Sequence, residues 1–148
     1  MKHSSRRCFL HVIGGTALAG AGVSACSAAG VGPDAVGDVP AGNIKDLPLG
    51  TLRAVGSKPV AIGRDENGVY AMTLTCSHAG CNMAYDGSVS YDGVYCSCHG
   101  SQFTNNGSVV SGPAPDPLQH FAVELDAAGE LTIHGGQSVS SSTRTAVG

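Results

Sequence analysis

The sequence predicts an all-β fold, and three observations carry that expectation. The 148 residues include 22 glycines but only 13% charged side chains, with three phenylalanines and no tryptophan; this suits a turn-rich single domain with a modest core. Beyond residue 26, no stretch of helical length repeats apolar residues at i, i+3, i+4 and i+7. Short β-branched or alternating runs recur instead, separated by turn residues. In chain order they are TLRAV (51–55), PVAIGR (59–64), VYAMTL (69–74), GVYC (93–96), FAVELD (121–126) and ELTIHG (130–135). Asp65-Glu66-Asn67-Gly68, Asn105-Asn106-Gly107 and Ala127-Ala128-Gly129 punctuate them. Two small antiparallel sheets follow, packed together or partly closed.

Four stretches make up the chain: an export address (1–26), a Gly/Ala/Pro-rich tether (27–43), the folded domain (44–135) and a polar tail (136–148) expected to be disordered. SSRRCFL at 4–10 sets two arginines directly ahead of a weakly apolar run broken by four glycines. It resembles a twin-arginine export signal, whose cargo crosses the membrane already folded. Val23-Ser24-Ala25-Cys26 resembles a lipobox, which makes Cys26 the residue to be lipidated. An uncleaved N-terminal anchor and a free secreted form are the alternatives for the same stretch, and all three place the domain outside the cytoplasm.

Charge excludes one class of partner. Lys2, Arg6 and Arg7 are the only charges before Cys26, whereas residues 26–148 hold five Lys/Arg against eleven Asp/Glu. A domain that acidic lacks the basic footprint that binding to nucleic-acid phosphates requires. Asp86, Asp92 and Asp116 show no spacing of a catalytic carboxylate pair, so the chain is read as having no catalytic residues of its own. His120 and His134 stand alone and read as ordinary surface or strand residues.

Two phrases concentrate the reactive side chains. CSHAGC (76–81) and CSCHGS (96–101) contain four of the six cysteines and two of the six histidines, and should lie on adjacent loops at one end of the sheets. Cys-x-His followed by Cys-x-x-His is metal-site spacing. Zinc accepts two thiolates and two imidazoles, but that reading leaves Cys81 and Cys98 without a use; two separate disulfides would instead leave both histidines idle. With Cys8 and Cys26 in the export segment, the remaining four cysteines enter a compartment where disulfides persist.

C-x-H, seventeen residues, then C-x-x-H resembles the signature of Rieske iron–sulfur proteins, over roughly residues 44–135. The resemblance implies one [2Fe–2S] cluster, with Cys76 and Cys96 on one iron and His78 and His99 on the other. It also implies a disulfide between Cys81 and Cys98, as in the branch that includes the cytochrome bc, b6f and arsenite oxidase subunits. Ser101 would donate a hydrogen bond to a cluster sulfur, and Gly112-Pro113-Ala114-Pro115 resembles the proline loop that covers the cluster. Two neutral imidazoles in place of two thiolates leave the oxidised centre uncharged, which raises its reduction potential.

Three positions depart from the quinol-oxidising pattern: Ala79 replaces a leucine, Ser97 a proline and Phe103 a tyrosine. The resemblance therefore implies a one-electron carrier tethered outside the cytoplasm, with a cytochrome-like or other redox protein as donor and acceptor. The alternative is a small subunit of an exported oxidoreductase, arsenite-oxidase-like or a divergent cytochrome bc type. The potential is expected below that of quinol-oxidising centres and above that of oxygenase-type ones.

Overall fold

The computed structural model describes residues 36–148, so the export signal, Cys8, the lipobox with Cys26 and residues 27–35 lie outside the described residues. Six strands form one antiparallel sheet: β1 (Asp38–Asn43), β2 (Thr51–Ala54), β3 (Val60–Asp65), β4 (Gly68–Thr73), β9 (His120–Leu125) and β10 (Glu130–Val139), ordered β1-β10-β9-β4-β3-β2. The other four, β5 (Gly87–Ser90), β6 (Gly93–Cys96), β7 (Gln102–Phe103) and β8 (Val109–Ser111), form a second sheet in chain order. This small sheet and its loops are an excursion between β4 and β9, which pair with each other at Ala71–Phe121 and Met72–His120. Among the described residues there is no α-helix, only a 3-10 turn at Ile44–Asp46. The all-β expectation holds, as does the antiparallel arrangement.

Period-2 geometry explains why VYAMTL is apolar throughout instead of alternating with polar residues. Every residue of β4 is buried. Tyr70 and Met72 face a core shared with the small sheet, together with Leu74, Met83, Val94, Phe103 and Leu118. Val69 and Ala71, one step out of phase, pack into a second core with Val39, Ile62, Phe121, Leu131 and Ile133. One strand thus belongs to two cores, and its far end leads directly into the loop that begins at Cys76.

Two boundaries differ from the sequence reading. Residues 38–43, assigned by composition to the tether, form β1, which pairs with β10 from Asp38–His134 to Asn43–Glu130. Val39 and Ala41 are its inward positions and both are buried; two apolar residues in a Gly/Pro-rich background are too short a pattern to stand out. Pro40 is tolerated because β1 is an edge strand.

The tail expected to be disordered is ordered. β10 runs on to Val139 beyond a shift in register between His134 and Ser138, and Thr145 exchanges two backbone hydrogen bonds with Val69, at 2.9 and 2.8 Å. Arg144 anchors it. Its Nε donates to Asp65 Oδ2 at 2.7 Å, its Nη2 donates to Asn106 Oδ1 at 2.9 Å, and the guanidinium lies 4.2 Å from the Tyr70 ring centroid. A polar composition describes solvation, but one cation with three partners offsets the entropy of ordering the segment.

The same side chains seat the turn that follows β7. Tyr70 Oη donates to Asn105 O at 3.0 Å, and its burial pushes the phenol up to about 12. His120, read as an ordinary surface or strand residue, is 2% exposed inside β9, with Nε2 3.2 Å from Asn106 O. Burial lowers its pKa, so the ring is held neutral. His134 is also in a strand but is not isolated: Asp38 Oδ1 lies 2.9 Å from Nδ1 and Glu124 Oε2 3.1 Å from Nε2.

Replacing Arg144 with alanine should lower stability by about 2–3 kcal/mol, because a largely buried charged group loses its partners and Asp65 is left unpaired. Arg144→Lys should recover only part, since ammonium cannot reproduce the fork and the stack. Denaturant titration measures both. A second expectation concerns pH. Hydrogen bonds that His134 donates to the carboxylates of Asp38 and then Glu124 raise its pKa above 6.5. The stabilisation is therefore full below the unfolded value and is lost as pH rises through the folded one. The stability gap between the native protein and His134→Ala should widen from about pH 8 to about pH 6; a constant gap would contradict the contact.

Candidate metal centre

The two cysteine–histidine phrases fold into the same turn. In the first, Cys76 N donates to Cys81 O at 2.9 Å and Gly80 N donates to Cys76 O at 2.8 Å; in the second, Cys96 N donates to Ser101 O at 2.9 Å and Gly100 N donates to Cys96 O at 3.0 Å. Both turns need a left-handed residue at their fifth position, filled by Gly80 (φ 74°) and Gly100 (φ 79°). CSHAGC and CSCHGS therefore align without a gap as C-S-x-x-G-x. The histidine occupies the third position of one and the fourth of the other.

That repeat sorts side chains by depth. Cys76 and Cys96, at the first position, are free thiols and buried, 3% and 0% exposed. His78 and His99, at the turn tips, are exposed and meet edge to face with ring centroids 4.6 Å apart. Cys81 and Cys98 are joined as a disulfide, with Cα atoms 6.7 Å apart, tying one turn to the other. The Cys81 and Cys98 sulfurs lie within 4.8 Å of Cys96 Sγ. They pack against that thiol but do not form a three-sulfur site with it, because a disulfide offers no thiolate to a metal.

Electrostatics at the buried pair favour a bound cation. Burial pushes the Cys96 thiol up, the neighbouring Cys76 thiol adds to this, and the backbone amides of Cys98 and His99 oppose it. A bound metal supplies the positive charge that would compensate a thiolate at the buried Cys96. Two buried sulfur donors beneath two exposed nitrogen donors fit a [2Fe–2S] centre with mixed ligands.

The surroundings close the site. Ser101 is fully buried, and its Oγ accepts from Ala114 N at 3.2 Å. That bond occupies a lone pair, leaving the hydroxyl hydrogen without a protein acceptor among the described residues and available to a sulfur. Gly112, at φ 93°, lies so close to the second turn that an added Cβ would sit 2.6 Å from Ser101 Cα. Pro113 and Pro115 follow on the same loop, both exposed. Phe103 is 2% exposed in β7 and shares its core with Cys76 and Cys96.

Sequence reasoning missed the anchoring contacts of the two serines that follow Cys76 and Cys96. Ser77 Oγ donates to Asp116 O at 2.6 Å and Ser97 N donates to Asp86 O at 2.7 Å. The gapless C-S-x-x-G repeat was the available signal for them. Replacing Cys81 and Cys98 together by alanine should lower stability by about 3 kcal/mol on loop-closure grounds, although the backbone turns can still form. Thermal melting under oxidising and reducing conditions reads this directly. The double variant should melt lower than the oxidised protein and should ignore reductant.

A family model described as the Rieske [2Fe-2S] domain matches residues 37–122. The chain is 36% identical over 56 residues to the cytochrome b6-f complex iron-sulfur subunit of Chlorobaculum tepidum, covering 38% of this chain and 30% of that one. It is 44% identical over 57 residues to the chloroplastic cytochrome b6-f complex iron-sulfur subunit of Bigelowiella natans, covering 38% and 22%. The matches thus span less than a third of those relatives. A chain from the complex of reduced oxygenase and oxidized ferredoxin in carbazole 1,9a-dioxygenase aligns with a TM-score of 0.51 at 29% identity, over 70% of this chain and 97% of that chain. The family match covers more than half of the sequence and includes both turns, the disulfide and the proline loop, and the chain belongs to the Rieske [2Fe-2S] domain family, which binds one [2Fe–2S] cluster.

Proposed function

We propose that Cys76 and Cys96 ligate one iron and His78 and His99 the other, and that the protein passes single electrons outside the cytoplasm as a membrane-tethered carrier. The observation that carries the reading is the sorting by depth: two buried thiols behind two exposed, touching imidazoles on a pair of turns clipped by a disulfide. The bound cluster supplies a one-electron couple whose potential is raised by histidine ligation. The chain's own residues do the rest. The amides of Cys98 and His99 stabilise negative charge on the Cys96 sulfur, and the Ser101 hydroxyl adds a donor from a fully buried position. His78 and His99 bring the electron's exit to the surface, while the buried thiols stay behind the turns.

Membrane attachment through Cys26, or through an uncleaved N-terminal segment, supports short-range shuttling. Because Val36 already packs against the second core and β1 begins at Asp38, at most residues 27–35 are left as spacer, a length that reaches about 30 Å at full extension. Periplasmic delivery by the twin-arginine route is consistent with a disulfide beside the site. A second reading, a subunit of an exported oxidoreductase, is favoured by the relatives named as cytochrome b6-f complex iron-sulfur subunits. Ala79 argues for the carrier, since it offers only a methyl group where the quinol-oxidising pattern has leucine.

The reduced protein should give the anisotropic low-temperature EPR signal of a mixed-ligand [2Fe–2S] centre, and His78→Ala or His99→Cys should abolish it. A colourless protein with one zinc per chain would overturn the assignment. Electrochemistry tests the neighbours. Ser101→Ala should lower the midpoint potential and Phe103→Tyr should raise it, each by some tens of millivolts, because a hydrogen bond strengthened by roughly 1 kcal/mol on reduction corresponds to about 40 mV. An unchanged potential in Phe103→Tyr would mean that position 103 does not face the cluster.

A further inference from the structure

The exposed end that carries His78 and His99 has an uneven charge pattern. From residue 65 to residue 143 the chain contains no lysine or arginine, so both ligand turns, the small sheet and the proline loop lack basic side chains. All five cations of the described chain sit elsewhere: Lys45, Arg53, Lys58 and Arg64 belong to the β1–β3 region, and Arg144 is bound to Asp65 and Asn106. Three carboxylates accompany the turns, but only two flank them. Asp116 accepts the Ser77 hydroxyl through its backbone carbonyl, and Asp86 accepts the Ser97 amide in the same way. Each acid is thereby fixed beside the residue that follows one of the two buried cysteines. Asp92 lies at the remote tip of the β5–β6 hairpin, at the other end of β6 from Cys96.

Asp86 and Asp116 are exposed and form no salt bridge among the described residues. The ligand turns and the proline loop present His78, Ala79, His99, Pro113 and Pro115, all exposed and none of them acidic. The face is therefore a small centre without lysine, arginine or acidic side chains, accompanied by two unpartnered carboxylates on residues whose backbone is anchored to the two turns. We propose that it docks a redox protein whose own exposed cofactor edge is ringed by lysines or arginines, with Asp86 and Asp116 as the paired contacts that orient it. Complementary charge of this kind raises the association rate and selects the approach direction more than it strengthens the complex. The inference rests on reading His78 and His99 as the exit for the electron.

The test uses the full-length protein in detergent, reduced and mixed in a stopped-flow instrument with a lysine-rich soluble cytochrome c. The same cytochrome with its lysines succinylated serves as the charge-reversed probe. The second-order rate with the native cytochrome should fall steeply as salt is added, and the succinylated probe should react more slowly at low salt. Asp86→Asn with Asp116→Asn should slow the native reaction roughly three- to tenfold at low ionic strength and flatten its salt dependence. Asp46→Asn with Glu66→Gln removes the same charge near the β3–β4 turn, at the opposite end of β4 from Cys76, and should change the rate much less. Equal losses in the two double variants, or none in the first, would overturn the docking face while leaving the cluster assignment intact. An absent cluster EPR signal in the unmutated protein would instead overturn the ligand reading, and this proposal with it.

Discussion

The site depends on one constraint: two copies of the same six-residue turn are tied side by side by a disulfide. Each turn closes through its own pair of backbone hydrogen bonds, and the Cys81–Cys98 bond joins them. Because the first cysteine of each turn points inward and the tips point outward, a pair of buried sulfurs and a pair of exposed imidazoles arise from the same geometry. Side chains held in this way lose little conformational freedom on binding a metal centre, which is what preorganisation means in energetic terms.

The larger sheet supplies the platform. β4 contributes to both cores and runs directly into the first cysteine–histidine turn, so a displacement of that turn would disturb packing on both faces of the sheet. The small sheet is held from below by a different set of contacts: Tyr70, His120 and Arg144 all bond to the Asn105–Asn106 turn, one turn beyond Phe103. His120 Nδ1 remains buried without a partner, a cost accepted where the neutral ring also packs against Tyr70. The C-terminal segment thus contributes to the support of a subdomain that lies far from it in sequence.

Much of this was legible in the sequence, and the reason differs by element. Strands with an unbroken apolar run, such as VAIG in β3 and GVYAM in β4, announced themselves because they lie in cores on both faces. GSVS, QF and VVS, as β5, β7 and β8, are too short to show a period and are set by pairing with β6 and with one another. The paired motifs pointed to the candidate donors because Cys-x-His and Cys-x-x-His are rare together. The tail and β1 were misread because a single long-range ion pair and two alternate apolar side chains leave almost no trace in local composition. The gapless repeat of C-S-x-x-G was present in plain letters, yet its meaning depends on two glycines with positive φ, which sequence does not display.

The central claim, that both imidazoles and neither of the disulfide sulfurs belong to the metal centre, is tested most directly by pulsed EPR on the reduced protein labelled with ¹⁵N-histidine. The account predicts two distinct histidine nitrogen couplings of comparable strength, both at the same iron and both sensitive to the label. A spectrum with one coupling or none, or one unchanged by the label, would contradict it.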